Sequence, residues 1–189
     1  MEWLLQASTV RKTLKASIAL QLATLATSYA IWVYEGCDPF MPWISDLDTN
    51  PVSGVPFTLG FSVSGLLIIV LSWQYYRLRA DWILSHPGVP RLGLLNPVSA
   101  ILAALAGAFT IWIAFTPWSE QLALHLVQAK VIFGGLGLWA ILSTVMASDM
   151  ASLDSRFEVV YRARRLRTVF MLACASLLVF SVLQYTRAS

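Results

Sequence analysis

Pro97-Val98-Ser99-Ala100-Ile101-Leu102-Ala103-Ala104-Leu105-Ala106-Gly107-Ala108-Phe109-Thr110-Ile111-Trp112-Ile113-Ala114-Phe115-Thr116 decides the fold, because no side chain in it carries a charge. A run of about 20 apolar residues is what crosses the hydrocarbon core of a bilayer. Lipid offers no water to backbone groups, so a spanning segment must be a helix or part of a closed barrel. Barrel strands read as short alternating segments, and this run does not alternate. Working outward, similar windows cover 14–33 and 57–76 on one side, and about 122–147 and about 169–185 on the other. The expectation is an all-α integral membrane bundle of about five transmembrane helices, forming a single domain over 1–189. Composition agrees: 58% of the chain is hydrophobic and 12% charged, about half the charged share of a soluble domain.

Basic residues set the orientation, since Lys and Arg collect on the cytoplasmic side. Arg11, Lys12 and Lys15 precede the first helix; Arg77, Arg79 and Arg91 lie between the second and third; Arg156, Arg162, Arg164, Arg165 and Arg167 lie between the fourth and fifth. The connection from Tyr34 to Pro56 has no Lys or Arg, but has Glu35, Asp38, Asp46 and Asp48. This predicts a cytoplasmic N-terminus, an outside or lumenal C-terminus and an acidic outer loop, with Arg187 the one basic residue outside. The net charge of +3 therefore reflects a basic inner face and gives no reason to expect nucleic acid. Trp32, Tyr34, Trp43, Trp118 and Tyr185 fall at the outer interface, and Trp73, Tyr75 and Tyr76 at the inner one, as amphipathic rings prefer. The first window is longer than a signal core and ends in Ile31-Trp32-Val33-Tyr34, so it reads as a retained helix. Cys37 and Cys174 fall at different depths, which argues against their pairing.

Small residues mark helix contacts in a membrane, because they let backbones approach. Gly60, Ser64 and Gly65 do so on the second helix, Ala100, Ala103, Ala104, Gly107 and Ala108 on the third, and Gly134, Gly135 and Gly137 on the fourth.

Three places carry chemistry. The outer loop has Asp46, Asp48 and Asn50 at alternate positions, like the start of a calcium loop. However, Pro51 stands where that loop needs glycine and Phe57 where it needs a closing acid, so no metal is expected. Within the fourth helix, His125 lies about a turn from the outer boundary and Lys130 lies deeper; an ionisable group inside a span is a functional candidate by default. On the inner face, Arg162, Arg164, Arg165 and Arg167 form a cluster that attracts anionic lipids, phosphoinositides included, at about 1 kcal/mol per basic residue. The same cluster also serves as a topology signal. No nucleophile elbow, phosphate loop, HExxH or CxxC is present.

Asp38-Pro39, Pro42, Ile44-Ser45-Asp46, Thr49 and Pro51, followed by Phe57 and Phe61, resemble the first lumenal loop of the DRAM/Frag/Sfk superfamily. Tyr75-Tyr76-Arg77, Asn96 and His125 extend the resemblance more weakly, so that it covers roughly 34–147. It implies a multi-spanning protein of endomembranes or the plasma membrane, in a family linked to autophagy, to recruitment of phosphatidylinositol kinases and to remodelling of lipid-anchored proteins. Most members are thought to have six helices, and this chain has room for five, which puts in doubt any role of a cytoplasmic C-terminal tail and leaves open whether a partner's helix fills the sixth place. Asp46 and His125 match the family pattern; no catalytic residue carries over.

Two functions follow as expectations. The first is a non-catalytic lipid-binding scaffold or small subunit of a membrane complex, with membrane lipids and a membrane-protein partner or second copy as its associates and no cofactor beyond a bound phospholipid. The second is a lipid-remodelling factor at the outer or lumenal surface, in which Asp46, His125 and Lys130 converge on a lipid-sized cleft.

Overall fold

The structure is a computed structural model that describes residues 2–40, 43–86 and 88–188, with side chains up to residue 177. Pro42 and the side chains of Tyr185 and Arg187, which the sequence placed in the outer loop and at the outer interface, lie outside the described residues. Five α-helices follow one another: α1 (Ala7–Tyr34), α2 (Pro51–Ser85), α3 (Arg91–Ile113), α4 (Trp118–Leu153) and α5 (Glu158–Ala188). Short 3₁₀ turns occupy Glu2–Leu5, Ile44–Asp48 and Ser155–Phe157. The first four helices are long and apolar enough to cross a membrane.

The helices run past the apolar windows because local signals start and stop them. The Asn50 side chain accepts from the Val52 and Ser53 amides at 2.8 and 3.3 Å, and Pro51 takes the first helical position, a pairing that fixes a helix start. At the end of α1, Gly36 adopts φ 82°. Its amide bonds to Val33 O at 3.0 Å and that of Cys37 to Trp32 O at 3.2 Å, the glycine-terminated cap that spends orphan carbonyls. α4 starts at Trp118 and kinks at Gln121 (φ −135°, ψ 51°). The arginines 162–167, read from the sequence as part of a loop, are helical and belong to α5.

Consecutive helices pack on one another: α1 on α2, α2 on α3, α3 on α4, and α4 on α5. The distribution of polarity is the reverse of a soluble domain's. Ser17, Thr24 and Ser28 of α1, Ser64, Ser72 and Gln74 of α2, Asn96, Ser99 and Thr110 of α3, and Gln128 and Ser143 of α4 are buried, while Leu59, Leu66, Ile101, Leu105 and Phe133 are exposed. This suits a solvent as apolar as leucine, where close packing and interhelical hydrogen bonds hold helices together. Gln74 Nε2 donates to Leu4 O at 2.8 Å, and Asn96 Nδ2 to Tyr76 O at 2.9 Å.

The backbones of α2 and α3 cross closely at Gly65 and Gly107. A Cβ on Gly65 would stand 2.5 Å from Gly107 O, and one on Gly107 would stand 2.8 Å from Gly65 O. On α4 the small-residue expectation holds for Gly135, whose Cβ would meet Leu102 O at 3.0 Å, but Gly134 and Gly137 face open space. Ala108 on α3 is exposed as well. The end of the bundle at the α2–α3 connection is closed by an apolar cluster of Leu92, Met146 and Met150, with Trp82, Val89, Leu95 and Phe157 packed around it. Beside it Arg91 of α3 pairs with the buried Asp149 of α4, Nε to Oδ2 at 2.7 Å.

Candidate functional site

The half of the bundle that holds the α2–α3 and α4–α5 connections contains a buried cation with no ion-pair partner among the described residues. The buried stripe of α2 runs through Gly60, Ser64 and Ser72 and ends at Arg79, which is 8% exposed. Its Nη1 donates to Ser99 Oγ of α3 at 3.3 Å and its Nη2 to Ser143 Oγ of α4 at 3.1 Å. Ser99 Oγ spends its own proton on Asn96 O at 2.9 Å, so a lone pair is left for the guanidinium. One turn back along α2, the Tyr75 ring centroid lies 5.5 Å from Arg79 Cζ and 5.8 Å from Arg164 Cζ of α5. Both contacts fall within the range of cation–π attraction. Among the described residues, neither arginine forms an ion pair. Neutral oxygens and a ring face offset only part of the cost of burying a charge. Two guanidinia therefore share one ring face.

The four arginines singled out from the sequence are therefore not equivalent. Arg164 turns towards α2, whereas Arg162 is exposed and bonded to Glu158 Oε1 at 2.9 Å, and Arg165 and Arg167 are exposed. Arg79, which the sequence places among the charges between the second and third helices, is buried at 8% exposed. Its signal was available: it continues the small, buried face of α2 at helical spacing, one turn beyond Tyr75.

At the opposite end of the bundle, Asp46 is a loop clasp. Its Oδ2 accepts from the Trp43 amide at 2.7 Å, and its Oδ1 accepts from the Trp118 indole at 3.0 Å, tying the 3₁₀ turn to the start of α4. His125 is buried, with Nδ1 2.7 Å from Thr116 O. A carbonyl only accepts, so Nδ1 carries a proton. Thr116 Oγ1 in turn donates to Gln128 Oε1 at 2.5 Å. This chain holds the turn between α3 and α4. Lys130 is exposed on α4. No hydrogen bond or ion pair among the described residues joins any two of Asp46, His125 and Lys130.

Asp48, two residues beyond Asp46, is different. It is buried, and its Oδ2 has no hydrogen-bond partner. Burial, reinforced by the charge of Glu120, pushes its carboxyl up to about 7. It lines a cavity of about 410 Å³ together with Pro51, Gly54, Val55, Thr58 and Leu59. No group of metal-ligating side chains occurs among the described residues.

A family model described as the Frag1/DRAM/Sfk1/Cwh43P N-terminal domain matches residues 15–189. No curated protein and no solved structure matches the chain.

Proposed function

The chain belongs to the Frag1/DRAM/Sfk1/Cwh43P family, and from that premise we propose that it is a non-catalytic, multi-pass lipid-binding scaffold whose inner face holds the phosphate of an anionic phospholipid. In this reading α5 is the fifth span, the N-terminus is cytoplasmic and the C-terminus is outside or lumenal. The asymmetry of the basic residues supports that orientation.

The observation that carries the proposal is Arg79, a buried guanidinium that no carboxylate answers. Hydrogen bonds from a charged donor to an oxyanion are roughly twice as strong as neutral ones, and each basic residue near an anionic surface adds about 1 kcal/mol. Arg164 supplies the second arm of the site, while the exposed Arg165 and Arg167 draw the lipid in without ordering it.

A second reading, a subunit of a larger membrane complex, is favoured by α5. That helix packs chiefly on α4 and presents Val169, Phe170 and Leu177 outward.

Native mass spectrometry of the gently purified protein, with extraction and identification of its lipids, tests both readings. The scaffold reading expects one retained anionic phospholipid per chain and its loss in Arg79→Gln. Retention of that lipid by Arg79→Gln, or the recovery of neutral lipids alone, sinks the proposal. A second polypeptide at fixed stoichiometry moves weight to the complex.

A further inference from the structure

The outer cavity at Asp48 has a chemistry of its own, independent of the inner arginines. Asp48 is 8% exposed, and its Oδ2 is buried without a partner. The lining offers it no donor: Pro51 has no N–H, the Gly54 amide is spent on Asn50 O at 2.8 Å, and the Thr58 hydroxyl proton is spent on Ala114 O at 2.9 Å. The absence of a side chain at Gly54 makes room for the carboxyl, since a Cβ there would stand 3.3 Å from Asp48 Oδ1. A buried acceptor left unmade is costly, so a donor from outside the protein is called for.

The surroundings select the donor. Glu120 adds a second negative charge near the buried Asp48 carboxyl, whose value burial first and that charge second push up, and residues 34–56 contain no Lys or Arg, so a cation is favoured over a neutral hydroxyl. One carboxyl and one hydroxyl fall far short of the six to eight oxygens that calcium takes, which leaves an ammonium. The rest of the lining is apolar, and it continues along α2 through Val55 and Leu59, which are 58% and 65% exposed. An acyl chain following that track descends towards the middle of the bilayer.

We propose that this cavity binds the primary amine of an outer-leaflet lipid headgroup, with the ammonium donating to Asp48 and Thr58 Oγ1 and the apolar part of the lipid lying along Val55 and Leu59. The perturbed carboxyl fits this arrangement, because an ammonium beside it restores the ionised form.

Titration of the detergent-purified protein with short-chain phosphatidylethanolamine and phosphatidylcholine, read by native mass spectrometry, tests the assignment. The two lipids carry the same headgroup charge, but three N-methyl groups in phosphatidylcholine replace the protons that phosphatidylethanolamine can donate. One phosphatidylethanolamine should bind per chain at least about tenfold more tightly than phosphatidylcholine, the worth of a charge-assisted hydrogen bond. Asp48→Asn should erase the preference. Val55→Trp, which fills the mouth of the cavity and leaves the carboxyl in place, should abolish binding of both lipids there. Equal affinity for the two lipids, or an unchanged preference in Asp48→Asn, overturns the amine assignment. Free ethanolamine binding as tightly as the lipid overturns the lipid assignment.

Discussion

Arg79 of α2 and Arg164 of α5 place their guanidinium carbons 5.5 and 5.8 Å from the centroid of one ring, that of Tyr75. Like charges repel, and the ring face offsets that repulsion only partly. An anion held between or beside the two relieves it directly, and this relationship orders the expectations below.

Tyr75→Phe keeps a ring face for both cations and should leave anionic-lipid affinity within about twofold of wild type. Tyr75→Leu removes the face that positions both guanidinia, and with two contacts at about 1 kcal/mol each should weaken that affinity by roughly thirtyfold. Lipid titration of the two variants checks this; equal losses in both would assign the ring a packing role alone.

The crossing of α2 and α3 predicts a steep dependence on side-chain size. With Gly65 O 2.8 Å from where a Gly107 Cβ would be, Gly107→Val must push the helices apart, at a cost of about 1–3 kcal/mol or more. Gly134→Val, where a Cβ meets nothing, should fall within about 0.5 kcal/mol of wild type. Thermal unfolding in detergent separates the two, and similar melting temperatures would contradict the described crossing.

Asp48 makes stability depend on pH. Its folded-state value of about 7 lies above the ordinary 3.8. Between those values the folded chain holds a proton that the unfolded chain has released, so stability falls as pH rises through this window and the full cost is present above about 7. Asp48→Asn removes the group. In lipid-free detergent the variant should gain on wild type as pH goes from about 5 to about 8. A gap in melting temperature that stays constant over that range would show that the carboxyl is not perturbed.

The Arg91–Asp149 pair joins a largely exposed guanidinium to a buried carboxylate. Removing the exposed partner strands the buried one, so Arg91→Gln should destabilise by more than Arg91→Gln combined with Asp149→Asn. A double-mutant cycle by thermal unfolding measures the difference, and strict additivity would mean that the pair contributes nothing.

Much of the fold was legible because the bilayer makes hydrophobic runs nearly sufficient to find helices. Four of the expected spans are helices long and apolar enough to cross. Their ends were less legible. The Asn50–Pro51 start and the kink at Gln121 are local backbone events that apolar length does not report. The candidate sites were half legible. Asp46 and His125 drew notice as polar residues in unusual places, and each turns out to hold a turn together. Arg79 was hidden by its neighbours Arg77 and Asp81, which made it look like one more charge in an inner loop. What distinguishes it is the face it occupies, and that requires knowing that α2 continues as far as Ser85.

The central claim, that the buried Arg79 awaits an anionic headgroup, is tested most directly by thermal unfolding in detergent with and without added lipid. A ligand that binds the folded state raises its stability by about 2.7 kcal/mol at a hundred times its dissociation constant. Wild-type protein should gain melting temperature with phosphatidylinositol phosphate and not with phosphatidylcholine. Arg79→Gln should unfold no earlier than wild type without lipid, and should gain nothing from the anionic lipid. An equal gain in wild type and Arg79→Gln would contradict the account.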